Sequence, residues 1–106
     1  MIIAVDFDGT IVEHCFPGIG APVPGAIPAL RHLSGRRDQI ILWTMRSGKY
    51  LDDALRYLRR AEVQLDGINV SPGQRNWTTS PKAYADVYID DSALGCPLVH
   101  PGGGNG

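Results

Sequence analysis

Cysteine is scarce in this chain, and so is charge of one sign. Its two cysteines, Cys15 and Cys96, lie far apart and form no CxxC pair, so no disulfide framework is expected and both read as free thiols. Net charge is −1 and no stretch is strongly basic. A nucleic-acid backbone held by charge alone is therefore not expected as a partner. Long apolar runs are missing too. Met1 to Val5 ends at Asp6, far short of a signal-peptide core or of the roughly 20 apolar residues that cross a bilayer. No membrane partner and a cytoplasmic location are expected. No internal repeat and no linker divides the 106 residues, which suits one domain. That domain is expected over 1–100, with 101–106 as a flexible tail, because four of those six residues are glycine.

What is present alternates between short apolar runs and helical patterns. Ile2 to Val5, Ile40 to Trp43, Ile68 to Val70 and Val87 to Ile89 read as buried strands, with Pro97 to His100 a fifth at an edge. Ile27, Leu30 and Leu33 share one helical face, with Pro28 in the first turn and Gly35 at the stop. Leu51, Ala54, Leu55, Leu58 and Ala61 follow the spacing of an amphipathic helix. Ser80-Pro81 is a helix-start signal for a short third helix. Strands separated by helices predict an α/β fold, a Rossmann-like three-layer sandwich about a central parallel sheet of about five strands, with helices on both faces.

Three of the strand runs end in polar residues that can do chemistry. Asp6-Phe7-Asp8-Gly9-Thr10 follows the first, Thr44-Met45-Arg46 the second and Asp90-Asp91-Ser92 the last convincing one. In an open parallel sheet, ligands bind outside the carboxyl ends of the strands. Neighbouring strands there would bring four aspartates together, which needs a neutralising cation or raised carboxyl pKa values. All-oxygen ligation suits a hard cation, and Mg²⁺ takes one or two carboxylates, waters and a substrate phosphate.

This order and spacing resemble the haloacid dehalogenase superfamily of phosphatases. Asp6 to Thr10 is similar to its first motif, DxDGT. Thr44 resembles the second, Lys82 at a helix start the third, and Asp90-Asp91 the fourth, all in family order within residues 2 to 92. The resemblance implies a Mg²⁺-dependent phosphomonoester hydrolase without a cap domain. It makes Asp6 the nucleophile of an aspartyl-phosphate intermediate and Asp8 the general acid/base. Thr44 and Lys82 would bind the phosphoryl oxygens. Asp6, Asp91 and the backbone carbonyl of Asp8 would hold Mg²⁺, with Asp90 acting through water or from behind. Gly9 permits a sharp turn, and Thr10 is expected to satisfy local backbone groups.

The remaining polar residues divide by their ordinary alternatives. Arg46 and Ser47-Gly48 either touch substrate or, for Ser47, cap a helix. Glu13 and His14 read as a solvated turn, and Lys49 as a surface lysine. Arg75 and Trp77, in the loop 71–79, are candidates for gripping the leaving group. Neither gap where a cap could be inserted is long enough: 16 residues separate Thr10 from Ile27, and 37 separate Thr44 from Lys82. The site is therefore expected to be open to a small or macromolecular phosphorylated substrate, or to be covered by a second subunit in a homo-oligomer. The rival readings are a phosphotransferase using the same motifs and a non-enzymatic phosphate-binding or receiver-like signalling domain. A receiver, however, carries its acidic pair after the first strand; here that pair follows Thr44 and Lys82.

Overall fold

The structure is a computed structural model that describes residues 1–79 and 83–90. Four strands, β1 (Ile2–Asp6), β2 (Gln39–Trp43), β3 (Gly67–Ile68) and β4 (Val87–Ile89), form one all-parallel sheet in the order β3-β2-β1-β4. Two helices, α1 (Ala26–Gly35) and α2 (Gly48–Arg60), alternate with them. The fold is α/β and compatible with a Rossmann-like arrangement. The fifth expected strand, 97–100, and the tail 101–106 lie outside the described residues.

The periodicity of the strands explains how the layers form. Ile3 and Val5 of β1 and Ile40 and Leu42 of β2 face one side, where Leu30 of α1 and Ala54 and Leu58 of α2 pack against them. Ala4 and Ile41, the alternate residues, face the other side with Trp43 and Tyr88. Both faces being covered, β2 is a continuous apolar run and not an alternating one.

The two faces are covered differently from the sequence expectation. Both described helices pack on the same side of the sheet. The opposite side is covered by Ala83 and Ala85 from the chain that crosses from β3 to β4. The helix expected from Ser80 does not run through residues 83–86, which are irregular; residues 80–82 are outside the described set. What fixes this crossover instead is Gln74, wholly buried in a 3₁₀ turn at Gln74–Asn76. Its Oε1 accepts from the amide and hydroxyl of Ser71 and from the amide of Tyr84, at 3.0, 3.1 and 2.8 Å. The Tyr88 hydroxyl donates to the carbonyl of Ala83 on the same face.

β3 is shorter than its apolar run suggests. Asn69 takes a positive φ of 61° and leaves the strand, while its amide still donates to the Leu42 carbonyl at 2.7 Å. Among the described residues no helix is long and apolar enough to cross a membrane.

Leu42 is fully buried under both helices on β2, which has a partner strand on each side. Leu42→Ala is expected to lower stability by about 2–5 kcal/mol, measured as a shift of the urea unfolding midpoint without a change of slope.

Candidate active site

The strand order reverses at β1. The chain steps outward from β1 to β2 and β3, then returns to place β4 on the other side of β1. Crossover connections on opposite faces leave a gap at such a point, and it opens at the carboxyl ends of the strands. A crevice of about 170 Å³ lies there, lined by Asp6, Trp43, Met45, Tyr88 and Asp90 among others. Register accounts for the company. Asp6 is paired with Trp43, so Thr44 is one residue further along β2. Val5 is paired with Ile89, so Asp90 follows directly beside Asp6. Adjacent strands are about 4.8 Å apart, which sets two carboxylates side by side at the mouth.

Phe7 to Val12 make a tight turn after β1. The amides of Thr10, Ile11 and Val12 all converge on the carbonyl of Phe7, at 3.3, 3.0 and 3.2 Å. Gly9 has φ 89°, a conformation in which any Cβ is strained. Thr10 does not take the role expected for it: among the described residues its buried hydroxyl has no hydrogen-bond partner, and the turn's amides are satisfied by the Phe7 carbonyl.

Asp8 faces away from that crevice toward a buried arginine. Arg46 is 4% exposed. Its Nε and one terminal nitrogen donate to the two Asp8 oxygens, each at 2.8 Å, as a parallel fork. The same guanidinium donates to the carbonyls of Gly18 at 2.6 Å, Tyr50 at 3.2 Å and Pro17 at 3.3 Å. All five of its N–H groups are thereby used. Phe7 and Phe16 both pack on it, each ring centroid 5.1 Å from the guanidinium carbon. The hydrogen bonds to Asp8 hold Arg46 above its ordinary pKa, against the opposing effect of burial. Arg46 was a substrate-contact candidate in the sequence. In the fold its donors are committed to Asp8 and to three carbonyls.

Thr44 is buried, and its Oγ1 accepts from the Arg46 amide at 3.0 Å, an arrangement that leaves the hydroxyl hydrogen able to donate elsewhere. The Thr44 amide is fixed by Asn69 Oδ1 at 2.8 Å. Asn69 carried no recognisable signal in the sequence beyond being an asparagine after an apolar run. Ser47 occupies the N-cap position of α2 but makes no side-chain cap bond. Glu13 and His14 are exposed, as a turn requires.

Other candidates are not brought to this crevice. Arg75 and Trp77 are exposed and do not line it. Trp77 packs edge-on to Tyr84 with centroids 6.0 Å apart, and Arg75 lies 3.5 Å from the Thr78 carbonyl. Lys82 and Asp91 lie outside the described residues. Among the described residues no group of three His, Cys, Asp or Glu side chains stands close enough to hold a metal. With Asp8 engaged by Arg46, the described carboxylates at the crevice are Asp6 and Asp90.

The fold recurs in the solved structure of a conserved protein coded by a locus of Bacteroides thetaiotaomicron. The two share 40% sequence identity and superpose with a TM-score of 0.82, over 91% of this chain and 79% of that one. The chain belongs to the family of that protein. No family model matches the sequence, and no curated protein does.

Removing the Arg46 fork should unsettle the whole site. Arg46→Met leaves Asp8 and three carbonyls without their donors, and a loss of about 3 kcal/mol or more is expected in chemical denaturation. Arg46→Lys should recover only part of it, since an ammonium cannot fork.

Proposed function

We propose that the chain is a phosphomonoester hydrolase of the haloacid dehalogenase type, using Asp6 as nucleophile and a hard divalent cation, Mg²⁺ by the chemistry of its ligands. The observation that carries this reading is the placement of Asp6 beside Asp90 at the mouth of the crevice, where the strand order reverses. Two neighbouring carboxylates in an open, all-oxygen setting fit a cation that takes one or two protein carboxylates and fills its other positions with water and phosphate. Such a cation, when bound, neutralises charge on the phosphoryl group. Asp91 would complete the ligand set.

The chain's own residues would act in two displacements. A carboxylate oxygen of Asp6 attacks phosphorus in line, and the ester P–O bond breaks as the aspartyl-phosphate forms. The leaving oxygen takes a proton from Asp8. Water, giving a proton back to Asp8, then attacks phosphorus and releases inorganic phosphate and free Asp6. The Thr44 hydroxyl donates to a phosphoryl oxygen, and Lys82 would add a compact positive charge. This reading requires Asp8 to leave the Arg46 fork, take up a proton from solvent and turn toward the leaving oxygen before the first displacement. It also gives Arg46 a defined part, as the residue that positions Asp8 instead of gripping substrate.

The test is turnover of p-nitrophenyl phosphate with Mg²⁺ and with EDTA. Hydrolysis that EDTA abolishes and Mg²⁺ restores is expected; hydrolysis indifferent to EDTA, or none on any of a panel of phosphomonoesters, would sink the reading. Asp6→Asn is expected to remove at least about 10³-fold of the rate while leaving the circular dichroism spectrum unchanged, because nucleophilic and electrostatic contributions are lost together. Wild-type rates in this variant would refute the nucleophile.

A further inference from the structure

Exposed aromatic rings stand immediately beyond the Asp8–Arg46 pair. Phe16 is 57% exposed and Tyr50 36% exposed, although both belong to segments held rigidly from beneath. The segment after Val12 doubles back, with the Glu13 amide donating to the Ala21 carbonyl at 2.8 Å and an antiparallel bridge from Val12 to Pro22. Gly20 makes the close return feasible, since a Cβ there would run into the Glu13 carbonyl. At the tip, Arg46 binds the carbonyls of Pro17 and Gly18, directly after Phe16, and also that of Tyr50. One buried guanidinium thus fixes Asp8 and the backbones that carry both rings.

The rings form a ledge with a cation at its edge. Phe16 and Tyr50 meet edge to face, with centroids 5.3 Å apart and planes at 63°. The Lys49 ammonium lies 5.4 Å from the Tyr50 centroid. Phe16 packs on the Arg46 guanidinium, its centroid 5.1 Å from the central carbon. Met45, adjacent in sequence to Arg46, is 96% exposed and lines the crevice. Preorganised exposed rings lose little conformational entropy when they take a flat partner, and a cation beside them favours a partner carrying negative charge.

We propose that Phe16, Tyr50 and Lys49 form the leaving-group subsite of this chain, and that it takes an aromatic ring esterified to the phosphate and bearing a further acidic group. The proposal rests on the hydrolase reading above. On that reading Asp8 delivers its proton to the leaving oxygen, and Asp8 is held by the guanidinium on which Phe16 packs, so the group attached to that oxygen extends toward Phe16. A ring there stacks on the aromatic ledge, and an anionic substituent on it reaches Lys49. This ledge does for an open site part of what a cap would do.

The probes are p-nitrophenyl phosphate, 4-carboxyphenyl phosphate and glycerol 2-phosphate. Phe16→Leu keeps an apolar cover on Arg46 but removes the ring, and Tyr50→Leu does the same on α2. Each is expected to lower the preference for p-nitrophenyl phosphate over glycerol 2-phosphate about tenfold in kcat/KM, the scale of one lost stacking contact. Lys49→Ala should erase the preference for the carboxyphenyl over the nitrophenyl ester. Preference ratios equal to wild type in all three variants would overturn the subsite while leaving the hydrolase standing. If no ester is turned over, the hydrolase reading fails, and binding decides the subsite separately. Phenylphosphonate added to Asp6→Asn protein should shift the ring resonances of Phe16 and Tyr50, and unmoved resonances would overturn it. A Phe16→Leu variant that changes only the sedimentation of the protein would make the ledge a subunit contact and would overturn it as well.

Discussion

The guanidinium of Arg46 is the interaction on which the rest of the site depends. It sits on the turn after β2 and uses every donor it has: two on Asp8 after β1, two on the hairpin tip at Pro17 and Gly18, and one on the start of α2 at Tyr50. A buried cation is costly unless its charge and its hydrogen bonds are met. Here the Asp8 carboxylate meets the charge, and carbonyls take the remaining donors. Two phenylalanine rings pack on it, and the residue is buried. The geometry is unforgiving because the guanidinium is planar, so each partner must lie in its plane. The turn after β1, the hairpin tip and the start of α2 are held in one arrangement by that requirement.

A second constraint comes from the sheet. Reversal of strand order at β1 leaves the carboxyl ends of β1 and β4 open between crossovers on opposite faces, and register then sets Asp90 beside Asp6. Asp6 and Asp90 line the crevice, whereas Asp8, two residues from Asp6, turns to Arg46.

Much of the fold could be read from local pattern. α1 ends at Gly35 as expected, and α2 turns Ala54 and Leu58 inward as their spacing requires. β1 and β2 are recognisable because strands buried on both faces need uninterrupted apolar residues. The failures have one cause. The described part of the crossover from β3 to β4 is held by Gln74, whose Oε1 accepts from Ser71 and Tyr84. A buried glutamine is indistinguishable from an exposed one in a sequence. The hydrogen bonds of Arg46 were hidden for the same reason: only folding brings Asp8 and the carbonyls of Pro17, Gly18 and Tyr50 to its donors. Phe16 and Tyr50 were passed over because aromatic residues in a sequence suggest core, and 34 positions separate them.

The sequence by itself determined which residues end the strands and which helical stripes are apolar, because strand and helix periods are local properties of the chain. It thereby brought Asp6, Thr44 and Asp90 to strand ends. Tertiary structure decided which of those ends are neighbours, that both described helices share one face, and that Asp8 meets Arg46 across 38 positions of sequence. Those outcomes depend on strand order and on the matching of donors to acceptors between distant loops. Neither is set by any window of residues short enough to have a pattern.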